Sequence, residues 1–322
     1  MSFFCSFSRR RFPVRRRHFL VVFLLGAALA GWGCGPRPDS PLAVFASPDS
    51  PHLRQVLAGL QAGLAPQPLE VTVIPEFGPK GDEALQKLRD KHPRLILVLG
   101  SPALVRVTPV EKVSPVVFAM VANPYVTGAA DTPEHPDLHQ KNLTGIASPP
   151  PVGAALEQGA RLLGPGPWGL LYDPREGQAV EVAKLFTELA PGHGITPLTE
   201  TSSAAADDLP ALRRLLARGA RVLYVPPTFG AARYAPLVMA WGRERQVPVV
   251  SSQPDADHRG AVLFVALDYQ ALGQKAAVLA KRVLAGDSPE KIPIAEEMPL
   301  KVEADEGLLA YWSGYPKGAQ TR

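Results

Sequence analysis

The sequence predicts an α/β fold built on two parallel sheets, and three observations carry that prediction. Short, continuously apolar runs recur along the chain and end in turn-forming residues, as strands buried on both faces must. Each run is followed by an amphipathic stretch of helical period, so the helices can cover the sheet on its two sides. The alternation stops in an irregular, charged stretch at 129–143 and then starts again, which makes two α/β units of one chain.

Taken in order, "LAVFAS" (42–47) is the first strand. Ser50 caps the helix after it, Pro51 suits that helix's first position, and Leu53, Val56, Leu57, Leu60 and Leu64 make its apolar stripe. "EVTVIPE" is followed by a helix over 80–91, "RLILVLG" by a helix opening at Ser101-Pro102, and "PVVFAMVANP" closes the first unit. The second unit reads as helix 152–163, strand "WGLLYD", helices 176–190 and 207–218, strand "RVLYVPP", helix 230–245 and strand "VPVVSS". A strand at 261–266, a helix from Asp268 to Leu284 and a short tail complete the chain. Ser148-Pro149-Pro150-Pro151 marks a stiff crossing between the units, because stacked prolines hold an extended connector.

The beginning of the chain has a different character. Arg9, Arg10, Arg11, Arg15, Arg16 and Arg17 precede a charge-free apolar stretch from Phe19 to Ala30, the layout of a secretory signal and too short to span a bilayer as a helix. Small residues then lead into Cys34. Cleavage before Cys34, with acylation of its thiol, competes with an A-x-A site at Ala28-Leu29-Ala30. The arginines at 9–11 also match a twin-arginine signal, so two export routes stay open. Without this leader the 34 basic and 30 acidic residues become 28 against 30, which removes any basis for a nucleic-acid partner. Cys5 leaves with the leader, so no internal disulfide or thiolate metal site is expected.

Catalytic patterns are wanting. The G-x-G-x-x-G at 164–169 comes after a helix and before a strand, the reverse of a dinucleotide site, and its prolines remove backbone donors. Leu99-Gly100-Ser101-Pro102-Ala103 lacks the spacing of a nucleophile elbow; Ser101 serves either as a plain helix start or as a donor to an anionic ligand group. His135 and His139 lie four apart among Asp131, Glu134 and Asp137, but Pro136 discourages the helix that would align them, and a solvated loop is the better reading. No cofactor, metal or enzyme activity is therefore expected. Open α/β sheets place ligands at the carboxyl ends of their strands. That rule selects Ser47, Ser101 and Asn123 in the first unit and Tyr172, Thr228, Phe229 and Ser252 in the second, with Asp268 at the start of the last long helix as either an N-cap or a ligand contact.

The ordered runs "LILVLGSPA", "SPVVFAMVANP", "NLTGIASP", "WGLLYDP", "ARVLYVPP", "VPVVSS" and "RGAVLFVALDYQALGQKAA", downstream of a lipobox-like cysteine, resemble the substrate-binding lipoproteins of ABC transporters of the tryptophan- and tyrosine-binding type, over residues 42–312. The resemblance implies the type 1 periplasmic binding protein fold: two flavodoxin-like lobes with a ligand cleft between them. It divides the chain into a signal peptide (1–33), a tether (34–41), lobe one (42–147 with 253–293) and lobe two (148–252 with 294–322). It implies an extracytoplasmic monomer anchored to the membrane through Cys34, capturing a small aromatic or apolar amino acid or related metabolite for a permease and an ATPase; a ligand sensor without transport is the alternative. The chain departs from the family where Ala122-Asn123-Pro124 replaces T-D-P and Thr228-Phe229 replaces an Asp-Asn pair, so two carboxylates expected of an amino-acid site are missing.

Overall fold

The computed structural model describes residues 40–74, 79–254, 259–295 and 298–313. The signal peptide, most of the tether and Cys34 lie outside the described residues.

The first sheet has the order β2-β1-β3-β4-β5, from Leu69–Val73, Leu42–Ala46, Leu95–Leu99, Val116–Val121 and Leu143–Ala147, and every pairing in it is parallel. Helices α1 (Pro51–Leu64), α2 (Pro79–Arg89) and α3 (Ser101–Val110) follow its first three strands. Ser50 caps α1 as its residue type suggests, its Oγ accepting the Leu53 N–H at 3.1 Å. Strand residues alternate between two cores. Leu42, Val44 and Ala46 meet Leu53, Val56 and Leu60 of α1, while Ala43 and Phe45 meet Leu85, Leu104 and Val107 of α2 and α3. Burial on both faces is why these strands read as unbroken apolar runs. At about 1.5–3 kcal/mol for each large side chain, it is the dominant source of their stability.

The second sheet has the order β11-β10-β9-β8-β6-β7, from Leu300–Ala304, Leu263–Leu267, Val249–Ser251, Val222–Val225, Gly166–Tyr172 and Ile195–Thr201. It is parallel except for β11, which runs antiparallel along β10. Helices α4 (Val152–Leu163) and α5 (Gly177–Leu189) cover one face around Trp168 and Phe186; α6 (Ala205–Ala217) and α7 (Phe229–Arg245) cover the other around Leu212 and Tyr234.

Two sequence expectations change here. β7 has no counterpart in the periodicity: "ITPLTET" carries Pro197 and mostly polar residues, because an edge strand needs neither a full apolar set nor every N–H. The strand at 263–267, expected in lobe one as part of 253–293, lies in the second sheet, with Leu263 beside Val250 and Phe264 beside Ser251. Its Leu263 and Val265 enter the core around Trp168. The chain crosses back only at Asp268, and α8 (Tyr269–Leu284) then packs on α1 in the first unit. That helix pair touches backbone to backbone. A Cβ on Gly59 would lie 2.0 Å from the Gln270 carbonyl oxygen, and one on Gly273 2.1 Å from that of Val56.

Three crossings therefore join the sheets: after Ala147, at Asp268 and after Ala295. The first and third are tied by Ala147 N–H donating to Ala295 O at 2.8 Å, and the second and third by Asp268 N–H donating to Pro299 O at 2.9 Å. A final short helix, α9 (Glu306–Ser313), follows β11.

Candidate functional site

Every candidate residue falls at the carboxyl edge of a sheet, but their side chains are not equally available. At the first sheet, Ser47 follows β1 and its N–H donates to Leu99 O at 2.8 Å. Its hydroxyl is buried and has no hydrogen-bond partner among the described residues. Gly100, at φ +95°, brings the end of β3 against it: a Cβ there would lie 2.1 Å from Ser47 Oγ. Gly100 is also the N-cap of α3 and contributes no capping side chain, and Pro102 lacks an N–H. An orphan hydroxyl, the half-exposed Ser101 and an uncapped helix start thus share one spot, with the positive end of a helix dipole behind them. This arrangement suits an acceptor or anionic group on a ligand. Asn123 is exposed beyond β4. Its Oδ1 is committed to the following turn, accepting from Tyr125 N at 3.0 Å and Val126 N at 3.3 Å, so the amide nitrogen is what it can offer outward.

At the second sheet the helix start is already filled. Glu176, between β6 and α5, accepts from Phe229 N through Oε1 and from Gly230 N through Oε2, both at 2.9 Å. Thr228 Oγ1 accepts from Ala231 N at 3.4 Å, so the first three N–H groups of α7 all have protein partners. Thr228 is itself buried, with its carbonyl receiving Gln253 Nε2 at 2.6 Å. Ser252 is wholly buried and accepts from the Tyr224 hydroxyl at 3.1 Å. Both side chains are thereby engaged within the protein. Phe229 is the opposite case, a large apolar side chain 85% exposed on the first residue of α7. Tyr172, half-buried, packs on the core that holds Trp168. Asp268 caps α8 through Oδ1, which accepts from Ala271 N at 2.8 Å.

The sequence reading passed over a group of charged residues on the same edge. Asp173 accepts from the backbone N–H and the guanidinium of Arg175, and these bonds hold its carboxyl down at about 2. Arg233, on α7, grips Asp208 through Nε at 3.2 Å and Nη2 at 2.9 Å, and Ser202 donates its hydroxyl to the same carboxylate. The run Asp173-Pro174-Arg175-Glu176 directly after an apolar strand was the available signal. Its partners lie 28 to 54 residues further along, beyond what local spacing shows. Among the described residues no three His, Cys, Asp or Glu side chains gather as a metal ion would require. His139 is held by main-chain carbonyls of Gln140 and Ile292, each 3.0 Å from a ring nitrogen. A groove of about 410 Å³ between β2 and α2, lined by Thr72, Lys80, Glu83, Lys87 and Lys91, runs along the flank of the first sheet, away from this edge.

The architecture has clear relatives. The ligand-free, open structure of a substrate binding protein with adhesive properties from Clostridium difficile superposes with a TM-score of 0.72 at 19% identity, covering 87% of this chain and 97% of that one. An ABC domain from Streptococcus pneumonia in complex with L-Trp gives 0.60 at 19% identity, covering 84% and 94%. The tyrosine-binding protein of Clostridioides difficile (strain R20291) is 24% identical over 217 residues; the match takes in 67% of this chain and spans 61% of that relative's length. The family model described as ABC transporter substrate binding protein matches residues 43–302, most of the chain. The chain belongs to the ABC transporter substrate binding protein family.

Proposed function

We propose that the protein is an extracytoplasmic receptor that captures a small aromatic or apolar solute carrying a carboxylate or similar acceptor, and delivers it to a permease and an ATPase. The observation that carries this reading is the pairing of the partnerless Ser47 hydroxyl with the uncapped start of α3, at the edge where such folds receive ligands. Phe229 and Tyr172 supply apolar surface on the opposite lobe, where aromatic contacts add about 0.5–1.5 kcal/mol beyond area burial. Relatives that bind tyrosine and tryptophan support an aromatic amino acid as the first candidate. Asp268 is the carboxylate assigned to an ammonium, through the oxygen that does not cap α8. Lobe closure about the crossings after Ala147, at Asp268 and after Ala295 encloses the solute, and Cys34 ties the monomer to the membrane. No enzymatic step belongs to this reading.

Calorimetry with tryptophan, tyrosine, phenylalanine and their deaminated acids tests it. Binding of at least one is expected, weakened in Phe229→Ala. Binding of an amino acid that Asp268→Asn leaves unchanged removes the ammonium role, and binding of a sugar in place of all of these removes the ligand class.

A further inference from the structure

β4 is a strand whose side chains stop alternating. Val117 and Ala119 enter the core beneath α1 and α8, while Val116, Phe118 and Val121 enter the core beneath α2 and α3. Met120 lies between Ala119 and Val121 yet packs against the α1–α8 core, on the same side as Ala119. The register explains this. Phe118 pairs with Gly145 and Val121 with Ala147, so three residue steps on β4 face two on β5. Such a bulge re-aims a side chain, and bulges gather beside functional sites.

The bulge puts Met120 at φ +60°. The other described non-glycine residues with positive φ, His92 and Gln246, follow the ends of α2 and α7, where a turn out of the helix needs that conformation. Met120 is inside a strand, at a bulge and not at a helix end. A conformation of this kind persists only when its surroundings over-determine it. Met120 also keeps partial exposure while the other five residues of β4 are buried. Two further side chains lie at the carboxyl edge. Tyr269, the first residue of α8, is half-buried against the same core, and its ring stacks on His52 in the first turn of α1, with centroids 4.3 Å apart and planes 21° apart. Both helices begin at the carboxyl edge.

We propose that the β4 bulge makes Met120, with the Tyr269–His52 stack, the lobe-one wall against which the ring of an aromatic solute lies, and that this wall determines specificity for a ring over an aliphatic side chain. The inference rests on the receptor reading above. The chemistry fits: a thioether is polarisable and contacts ring edges, and a stacked pair presents a flat aromatic face.

Two measurements test the wall. Calorimetry of the purified protein with L-tryptophan and L-tyrosine compares wild type with Met120→Gly and Met120→Asn; glycine suits a positive φ and asparagine tolerates it, so both keep the bulge. Affinity for both amino acids is expected to fall up to about tenfold in each variant. In wild-type protein labelled at its methionine methyl groups, the Met120 resonance should move under ring current when tryptophan is added. That readout needs no variant to fold. Unchanged affinity in both variants, or a stationary Met120 methyl at tryptophan saturation, overturns the wall and leaves the aromatic-receptor reading in place. If wild type binds neither amino acid, that reading of the ligand fails and the wall falls with it.

Discussion

The starts of α3 and α7 are the same backbone device put to different uses. Both open shortly after a strand at the carboxyl edge of a parallel sheet, and both direct the positive end of a dipole toward that edge. At α7 the protein supplies the anion itself: Glu176 takes two N–H groups and Thr228 the third. At α3, among the described residues, no side chain caps the helix and a buried serine hydroxyl beside it has no partner. One sheet has thus spent its anion site on stability, and under the receptor reading proposed above the other keeps its own for a solute.

The largest way to break the contrast is at Gly100. Gly100→Ala places a methyl 2.1 Å from Ser47 Oγ at a φ of +95°, so both the backbone and the buried serine must shift. A loss of about 3 kcal/mol or more is expected, read as a lower midpoint in denaturant unfolding. Second is Glu176→Ala, which strips two caps from α7 and should cost about 1–2 kcal/mol; the same substitution at Glu181 on the outer part of α5 serves as the control. Third, Ser47→Ala separates binding from stability. The hydroxyl is unpaired, so unfolding should be unaffected or slightly less favourable, while affinity for the tightest-binding aromatic acid falls about tenfold. The smallest effect is a slope. Asp173 has its pKa lowered from 3.8 to about 2, first by the Arg175 side chain and then by the Arg175 N–H, so its contribution is complete above 3.8 and is lost as pH falls through about 2. Asp173→Asn should flatten stability against pH in that window and leave the curve at neutral pH parallel to that of wild type.

Legibility in the sequence followed the reach of the interactions. Ser50 and Pro51, the stripe of α1 and the buried strands were readable because each depends on neighbours within one or two turns. β7 was hidden by its own edge position, and the placement of β10 by the fact that an apolar strand does not announce which sheet it joins. The candidate site divided in the same way. Its residues were found by their position after strands, but position did not reveal that Ser252 turns inward to Tyr224 or that Thr228 is consumed as a cap. Glu176 was missed because its partners are more than 50 residues distant. Met120 lies within an apolar run, and only the pairing register shows that it breaks the alternation.

The backbone contact between α1 and α8 also governs when the molecule can exist as a folded body. Strands β1 to β5 are complete once residue 147 has been delivered, but one of their two faces has only α1 to cover it until Leu272, Ala276, Ala277 and Ala280 arrive. For a chain that emerges N-terminus first, the 125 residues from 147 to 272 must pass before the earliest-made sheet can finish shedding water from that face. Assembly is therefore a late, nearly whole-chain event, with the long-range closure cost that slows folding and lengthens dependence on holding partners.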